Sequence, residues 1–106
     1  PGMLKRHYAP KTKIVYSNDF IKSIKNYPNK KIGILCLKRI KKIPKSVHQE
    51  VLSSDGNLNE AAKNLYAALH KLDRLNLDLI LTSNMPEYEL GRSINDRLRR
   101  AVEVEN

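Results

Sequence analysis

The first ten residues, PGMLKRHYAP, carry the side chains best suited to hold an anionic ligand. Arg6, His7 and Tyr8 are consecutive and together offer a guanidinium charge, ring nitrogens that form hydrogen bonds, and a phenol with a π-face. Prolines at both ends stiffen this segment, and Gly2 allows it to bend. Such a segment can lie over a nucleotide and exclude water from it, although the same residues also fit an ordinary basic linker.

Three polar stretches elsewhere could bind a ligand if they meet at one edge of a sheet. Ser17–Asp19, Ser53–Asn57 and Thr82–Asn84 each follow a predicted strand, and ligands of open parallel sheets bind beyond the carboxyl ends of the strands. The second stretch leads into a helix N-terminus, where a phosphate can bind, but it lacks the glycine and lysine spacing of phosphate-binding loops. Helix capping explains the same residues without any ligand.

The remaining residues that could carry chemistry are too scattered to form a catalytic or metal site. The three histidines lie on different predicted elements, without the spacing of metal ligands: His7, His48 and His70. Cys36 stands inside an apolar segment and is expected to be a buried small hydrophobic residue rather than a nucleophile. The sequence therefore predicts no catalytic residue and no bound metal.

Four short strands are predicted from the apolar pattern. Lys31–Leu37 (KIGILCL) is almost continuously apolar, which is typical of a strand covered on both faces, and Leu77–Leu81 is of the same type. Lys13–Tyr16 is short and β-rich, and Val47–Leu52 has apolar ends around a polar centre. Residues 38–45 are basic and contain a proline, so their pattern fits either a ragged helix or a loop.

Helices are predicted between these strands. Ser17–Asp19 offers N-caps for a short helix, whose inward face would consist of Phe20, Ile21, Ile24 and Tyr27. From Leu58 to Leu72, leucines and alanines recur at helical spacing and form a stripe that faces a core. Asp73 and Asp78 flank the turn that follows, and both are expected to be solvated.

A last helix is predicted to start near Leu90, with Leu90, Ile94 and Leu98 turned inward. Its outer face carries two pairs of opposite charge four residues apart, Asp96 with Arg100 and Arg99 with Glu103. Strands that alternate with helices predict an α/β fold, with a small and mostly parallel sheet of about four strands between helical layers.

Charge is distributed unevenly along the chain. Residues 1–45 hold 13 Lys and Arg against one acidic residue, a formal charge of +12, whereas residues 46–106 hold seven basic and ten acidic residues, a charge of −3. A basic half suggests an anionic partner such as nucleic acid, a nucleotide or an acidic neighbouring domain. A composition that uses lysine at every solvated position would look the same.

Length and composition bound the class of protein. The 106 residues, of which 41% are hydrophobic, suffice for one domain with a modest core. The longest apolar run falls far short of the roughly 20 residues of a membrane span, and no signal peptide is recognisable. A single cysteine excludes an internal disulfide and fits a reducing, cytoplasmic location. A chain that begins at Pro1 indicates processing or a piece of a longer protein.

Several stretches together resemble the long, two-domain form of threonylcarbamoyl-AMP synthase. PGMLKRHYAP is similar to its interdomain linker, and KIGILCL is similar to the second strand of its C-terminal domain. NEAAKNLYAALHKLDRLNLDLIL resembles a helix and strand of that domain, and ELGRSINDRLRRA resembles its closing helix. The similarity spans nearly the whole chain and is weakest over residues 38–55. One difference is Lys5, which stands where the family usually has an aromatic residue.

This resemblance implies that residues 1–12 are an interdomain linker and that residues 13–106 are a C-terminal domain of Rossmann-like, three-layer fold. It implies that the full enzyme makes threonylcarbamoyl-AMP and pyrophosphate from ATP, L-threonine and bicarbonate, with magnesium accompanying ATP. The product serves the threonylcarbamoyladenosine modification of tRNA. The chemistry would belong to an N-terminal catalytic domain, so that this chain alone is expected to be inactive and to need no cofactor of its own.

By the same resemblance, the linker crosses the active site as a lid and the C-terminal domain positions it. The residues that would face the nucleotide and its phosphates are Lys5, Arg6, His7 and Tyr8. Those that would set the path of the linker are Pro1, Gly2 and Met3. The expected partner is the N-terminal catalytic domain, while contacts with downstream tRNA-modification proteins or with tRNA stay open. The alternatives are a basic tRNA-binding module and a regulatory domain that binds a nucleotide.

Overall fold

A computed structural model of the protein describes residues 10–105, with side chains up to Val102. Over that range four strands and three helices follow one another in the predicted order, with a loop instead of a helix between the second and third strands. The strands are β1 (Lys13–Tyr16), β2 (Ile32–Cys36), β3 (His48–Val51) and β4 (Leu79–Thr82). The helices are α1 (Phe20–Asn26), α2 (Leu58–Asp73) and α3 (Gly91–Glu105). Residues 38–45, for which the sequence left helix and loop open, form a loop with turns.

All four strands of the described range are parallel and lie in the order β1-β4-β2-β3. In β4, Leu79 is in register with both Lys13 of β1 and Ile32 of β2, so that β4 occupies the middle of the sheet. Every residue of β2 and β4 is buried, as expected of strands covered on both faces. The predicted α/β fold with a small parallel sheet between helical layers is therefore confirmed.

The direction of each crossover explains which face of the sheet it covers. From β1 to β2 to β3 the chain moves one way across the sheet, and from β3 back to β4 it moves the other way. Because parallel crossovers are right-handed, connections that run in opposite directions must lie on opposite faces. The first two connections accordingly pack on one face, and α2 packs on the other together with α3.

The larger half of the core lies under α2 and α3. The stripe of α2 contributes Leu65 and Leu72, and α3 contributes Ile94 and Leu98, all at most 1% exposed. Gly33 of β2 lets this layer approach closely, since a Cβ there would stand 2.5 Å from a methyl group of Leu77 and 2.9 Å from one of Leu72.

The smaller half of the core lies under α1 and the loop that follows β2. The apolar side chains that it receives from outside the sheet are Phe20, Ile24, Tyr27, Ile40, Ile43 and Val47. Two predicted inward residues, Ile21 and Leu90, are instead 36% and 42% exposed. Ile21 lies one position off the i, i+4 stripe of a helix of seven residues, and Leu90 stands in the turn before α3 begins.

Candidate functional site

The predicted nucleotide-binding and path-setting residues all fall in residues 1–9, outside the described part of the chain. They are Pro1, Gly2, Met3, Lys5, Arg6, His7 and Tyr8. What the structure describes is the point where this N-terminal arm, residues 1–12, enters the fold. Pro10 and Thr12 are buried there, and Lys11 between them is exposed. We call Pro10–Thr12 the root of the arm.

Asp73 holds the root of the arm from the end of α2. Its carboxylate accepts hydrogen bonds from the backbone N–H of Lys11 at 3.1 Å and from that of Thr12 at 3.0 Å. Thr12 and Asp73 are both buried, at 5% and 8% exposure. These bonds join segments more than 60 residues apart in the sequence, so they fix where the arm leaves the domain.

The position of Asp73 at the end of α2 shows that this residue does not serve to stabilise the helix. Asp73 is the last residue of α2, and a negative charge is unfavourable at a helix C-terminus, where the backbone dipole is itself negative. Two backbone donors compensate the buried carboxylate instead. The expectation that Asp73 is solvated was therefore wrong, and an acid at the unfavourable end of a well-formed helix was the signal that could have revealed it.

Asp78 ties a second strand at the same edge of the sheet. Its carboxylate accepts from the N–H of Lys31 at 2.7 Å, while its own N–H donates to the Lys31 carbonyl at 2.8 Å. Asp78 is exposed, as predicted. The amino edge of the sheet thus has two carboxylate anchors, one for the arm before β1 and one for the residue before β2.

Open clefts lie along the amino edge beside the root of the arm. One, of about 450 Å³, is lined by Lys11, Thr12, Lys13, Asn76, Leu77 and Asp78. A neighbouring one, of about 220 Å³, is lined by Lys13, Val15, Tyr27, Lys30, Asp78 and Leu79. Their linings combine lysines, an amide and a carboxylate with a few apolar groups. This edge therefore offers a polar, mostly cationic surface to whatever the arm connects.

At the opposite edge, the three polar stretches serve the fold. The hydroxyls of Ser17 and Ser23 are hydrogen-bonded at 2.6 Å, and Asp19 caps α1 by accepting from the N–H of Lys22. The buried hydroxyl of Thr82 donates to the carbonyl of Leu35 at 2.9 Å. These contacts account for Ser17, Asp19 and Thr82 without a ligand.

The stretch Ser53–Asn57 is a capping structure. Asn57 accepts from the N–H of Glu60 at 2.9 Å, and the Ser53 hydroxyl accepts from the N–H of Asn57 at 2.9 Å while donating to the Glu60 carboxylate. Two of the backbone donors that a phosphate would use are thus occupied, and a carboxylate stands beside them. Of the two interpretations of this stretch, capping is the one that the geometry supports.

Cys36 is buried in β2 at 2% exposure, as predicted. Its thiol donates to the side-chain oxygen of Gln49 and to the carbonyl of Glu50, and burial raises the pKa of the Cys36 thiol to about 11. A thiol that keeps its proton at neutral pH is a poor nucleophile. Within residues 10–102, no group of three His, Cys, Asp or Glu side chains is placed to hold a metal ion.

The fold and this site define a small α/β domain that is tied at its amino edge to a preceding segment. No helix in the described range is long and apolar enough to cross a membrane. Residues 1–102 match the family described as threonylcarbamoyl-AMP synthase, C-terminal domain, and the chain belongs to that family. The resemblance stated from the sequence is thereby confirmed.

Individual relatives agree with this assignment. The chain is 32% identical to a threonylcarbamoyl-AMP synthase of Pyrococcus abyssi, over 95% of this chain and 31% of the relative. It is 30% identical to one of Schizosaccharomyces pombe, over 98% of this chain and 29% of the relative. A crystal structure of P. abyssi Sua5 complexed with L-threonine matches it with a TM-score of 0.68 and 25% identity, over 92% of this chain and 30% of that one. The chain thus spans about a third of the length of these relatives.

Proposed function

We propose that this chain is the C-terminal part of a threonylcarbamoyl-AMP synthase in which the arm acts as a lid. An N-terminal catalytic domain would make threonylcarbamoyl-AMP and pyrophosphate from L-threonine, bicarbonate and ATP, which binds there with magnesium. Residues 1–12 would cross the active site of that domain, and residues 13–106 would hold the arm in place. In this proposal the C-terminal domain has no catalytic activity of its own and serves the tRNA modification through its catalytic partner.

The observation that carries the proposal is the pair of hydrogen bonds from the root of the arm to Asp73. Holding the backbone of one residue in one conformation costs about 1–2 kcal/mol in entropy. With Lys11 and Thr12 already held, that cost is not incurred again each time the arm closes over a substrate. The anchor therefore supports an arm whose far end has to return to one place.

The length of the arm limits how far the nucleotide can lie from this domain, and this limit supports docking between the two domains. An extended chain covers at most about 3.3–3.6 Å per residue, so Tyr8 can lie no more than about 7 Å from Pro10 and Arg6 no more than about 14 Å. If these residues contact a nucleotide, their backbone lies within about 14 Å of the root of the arm and the nucleotide only a side-chain length further away. The catalytic domain must then pack close to the amino edge, beside the polar clefts that line it.

A pyrophosphate-release assay on the full-length protein tests the lid. Wild type is supplied with ATP, threonine and bicarbonate and compared with His7→Ala/Tyr8→Ala, and with Tyr88→Ala as the control for an exposed aromatic residue far from the arm in sequence. We expect release that requires all three substrates, falls at least about tenfold in the arm variant and is unchanged in the control. Normal turnover by the arm variant would refute the lid, and no threonine-dependent release from folded protein would refute the activity.

The anchor is tested separately by Asp73→Ala, with Asp78→Ala as its matched control. Both changes remove a carboxylate that accepts a backbone N–H at the amino edge, but only Asp73 holds the arm. We expect Asp73→Ala to lower the kcat of the full-length enzyme and to speed tryptic cleavage at Lys11, and Asp78→Ala to do neither. Equal effects of the two variants, after matching for thermal stability, would reduce Asp73 to a purely structural residue.

A further inference from the structure

The segments that cover the two faces of the sheet differ in net charge. Residues 17–47, which include α1 and the loop after β2, hold nine Lys and Arg and one acidic residue, Asp19. Apart from β2 itself, this part of the chain covers a single face. Helices α2 and α3, which cover the other face, hold six Lys and Arg and five acidic residues, so that their charges nearly balance. Folding therefore turns a charge difference along the sequence into a cationic layer on one side of the molecule.

The densest part of this layer is the loop between β2 and β3. We call its five exposed cations, Lys38, Arg39, Lys41, Lys42 and Lys45, the cationic ridge. Among residues 10–102, no carboxylate lies within 4 Å of any of them, since the ion pairs of this part of the chain are formed by Glu50 and Asp96. The ridge thus presents its charge without neutralisation by the rest of the described fold.

The fold holds the ridge in place from beneath. Ile40, Ile43 and Val47 pack into the core of this face. The side-chain amide of Gln49 accepts from the N–H of Ile40 at 2.9 Å and donates to the carbonyl of the same residue at 3.0 Å. Lys42 has a φ of 65°, a left-handed conformation that a lysine adopts only at a cost in free energy. The cations are therefore carried on a backbone of defined shape.

We propose that this face binds the phosphate backbone of a nucleic acid without reading its sequence. Protein–protein interfaces are depleted in lysine and enriched in aromatic residues, whereas the ridge is four lysines and one arginine, and residues 37–47 contain no aromatic residue. Lysine and arginine that contact phosphates give affinity and orientation, and base specificity requires other contacts. The absence of aromatic residues in the ridge also leaves no platform on which a base could stack.

The proposal makes a quantitative prediction about salt. Each phosphate neutralised contributes about −0.7 to −0.9 to the slope of log affinity against log salt concentration, so a ridge that engages four or five phosphates gives a slope of about −3 to −4.5. This property is independent of the lid, because the ridge lies on the outer layer and the arm enters at the amino edge.

The test is fluorescence anisotropy of a labelled RNA duplex of about 20 base pairs with the full-length protein, between about 50 and 200 mM salt. The ridge variant is Lys41→Glu/Lys45→Glu, and the control is Lys63→Glu/Arg74→Glu, which makes the same charge change at exposed positions on or beside α2. We expect the ridge variant to lose at least about tenfold more affinity than the control and its slope to become smaller by about two. A second duplex of unrelated sequence should bind equally.

Three results would overturn the proposal. The first is an equal loss of RNA affinity in the ridge variant and in the control, which would reflect net charge alone. The second is binding that does not depend on salt. The third is unchanged RNA affinity together with impaired pyrophosphate release in the ridge variant, which would make this face a contact with the catalytic domain. Thermal unfolding of both variants, expected to match wild type because all four positions are exposed, ensures that folded proteins are compared.

Discussion

Asn95 of α3 binds both backbone groups of Met85, ten residues earlier in the chain. Its side-chain oxygen accepts from the N–H of Met85 at 2.6 Å, and its side-chain nitrogen donates to the Met85 carbonyl at 2.8 Å and to the carboxylate of Glu87 at 2.6 Å. Gln49 forms the same pair of hydrogen bonds with the N–H and the carbonyl of Ile40. In both cases a side-chain amide supplies the donor and the acceptor that a neighbouring strand would give, and so holds a loop, against α3 in the case of Asn95 and against β3 in the case of Gln49.

The hydrogen bonds of Asn95 predict a large loss of stability for Asn95→Asp, a substitution that only replaces the side-chain NH₂ group by an oxygen. The substitution replaces the amide nitrogen by an oxygen that faces the Met85 carbonyl and the Glu87 carboxylate at a position only 1% exposed. We expect a loss of about 3 kcal/mol in the free energy of unfolding at neutral pH, measured by urea titration. Asn59→Asp, at an exposed position in the first turn of α2, is the control and should stay within about 0.5 kcal/mol of wild type.

Acid should restore part of the stability that the Asn95→Asp variant has lost. Once protonated, the new carboxyl again has one O–H donor for its neighbours. Burial beside Glu87 raises its pKa in the folded protein, so the deficit relative to wild type should shrink as the pH falls from neutral towards the ordinary pKa of an aspartate, about 3.9. A deficit that is independent of pH would show that shape, rather than the lost donor, is what the site requires.

Gln49→Ala predicts a local effect rather than a global one. Removing the amide leaves Ile40 without its two hydrogen bonds, while the apolar contacts of Ile43 and Val47 remain. We expect hydrogen exchange at the Ile40 amide to speed up at least about tenfold, with a loss of only about 1 kcal/mol in global stability. Ser46→Ala, an exposed change in the same loop, should leave the exchange rate unaltered. If Ile40 exchanged no faster in the Gln49 variant, the amide would not be what holds the loop.

Periodicity was sufficient to predict the elements that depend on apolar patterns. The buried runs of β2 and β4 and the stripe of α2 reflect one physical requirement, that apolar surface leaves water, and this requirement is visible in the sequence. The strand order was not predicted, because it depends on which crossover covers which face. The roles of Asp73, Gln49 and Asn95 were missed because each acts on a backbone group distant in sequence or in another element.

Capping of α2 predicts the cost of Asn57→Ala. Asn57 is the N-cap and accepts from the N–H of Glu60, and the Ser53 hydroxyl is bonded to the N–H of Asn57. We expect a loss of about 1 kcal/mol, measured by urea denaturation, and a smaller loss for Asn57→Gly. Asn59→Ala, two residues further on and exposed, should be neutral or slightly stabilising because alanine has the higher helix propensity. Equal costs at both positions would indicate general helix propensity instead of a cap.

Burial of Cys36 predicts how stability depends on alkaline pH. Its pKa is raised from 9.0 to about 11 in the folded protein, so that between these values the unfolded chain loses the thiol proton while the folded chain retains it. The stabilising contribution is therefore complete below about pH 9 and is lost as the pH rises to about 11, by roughly 2 kcal/mol. The measurement is the difference in unfolding free energy between wild type and Cys36→Ala at about pH 8 and about pH 10.5, since the other titrating groups are shared. The advantage of wild type should narrow at the higher pH, and two parallel pH profiles would show that the thiol titrates normally in the fold.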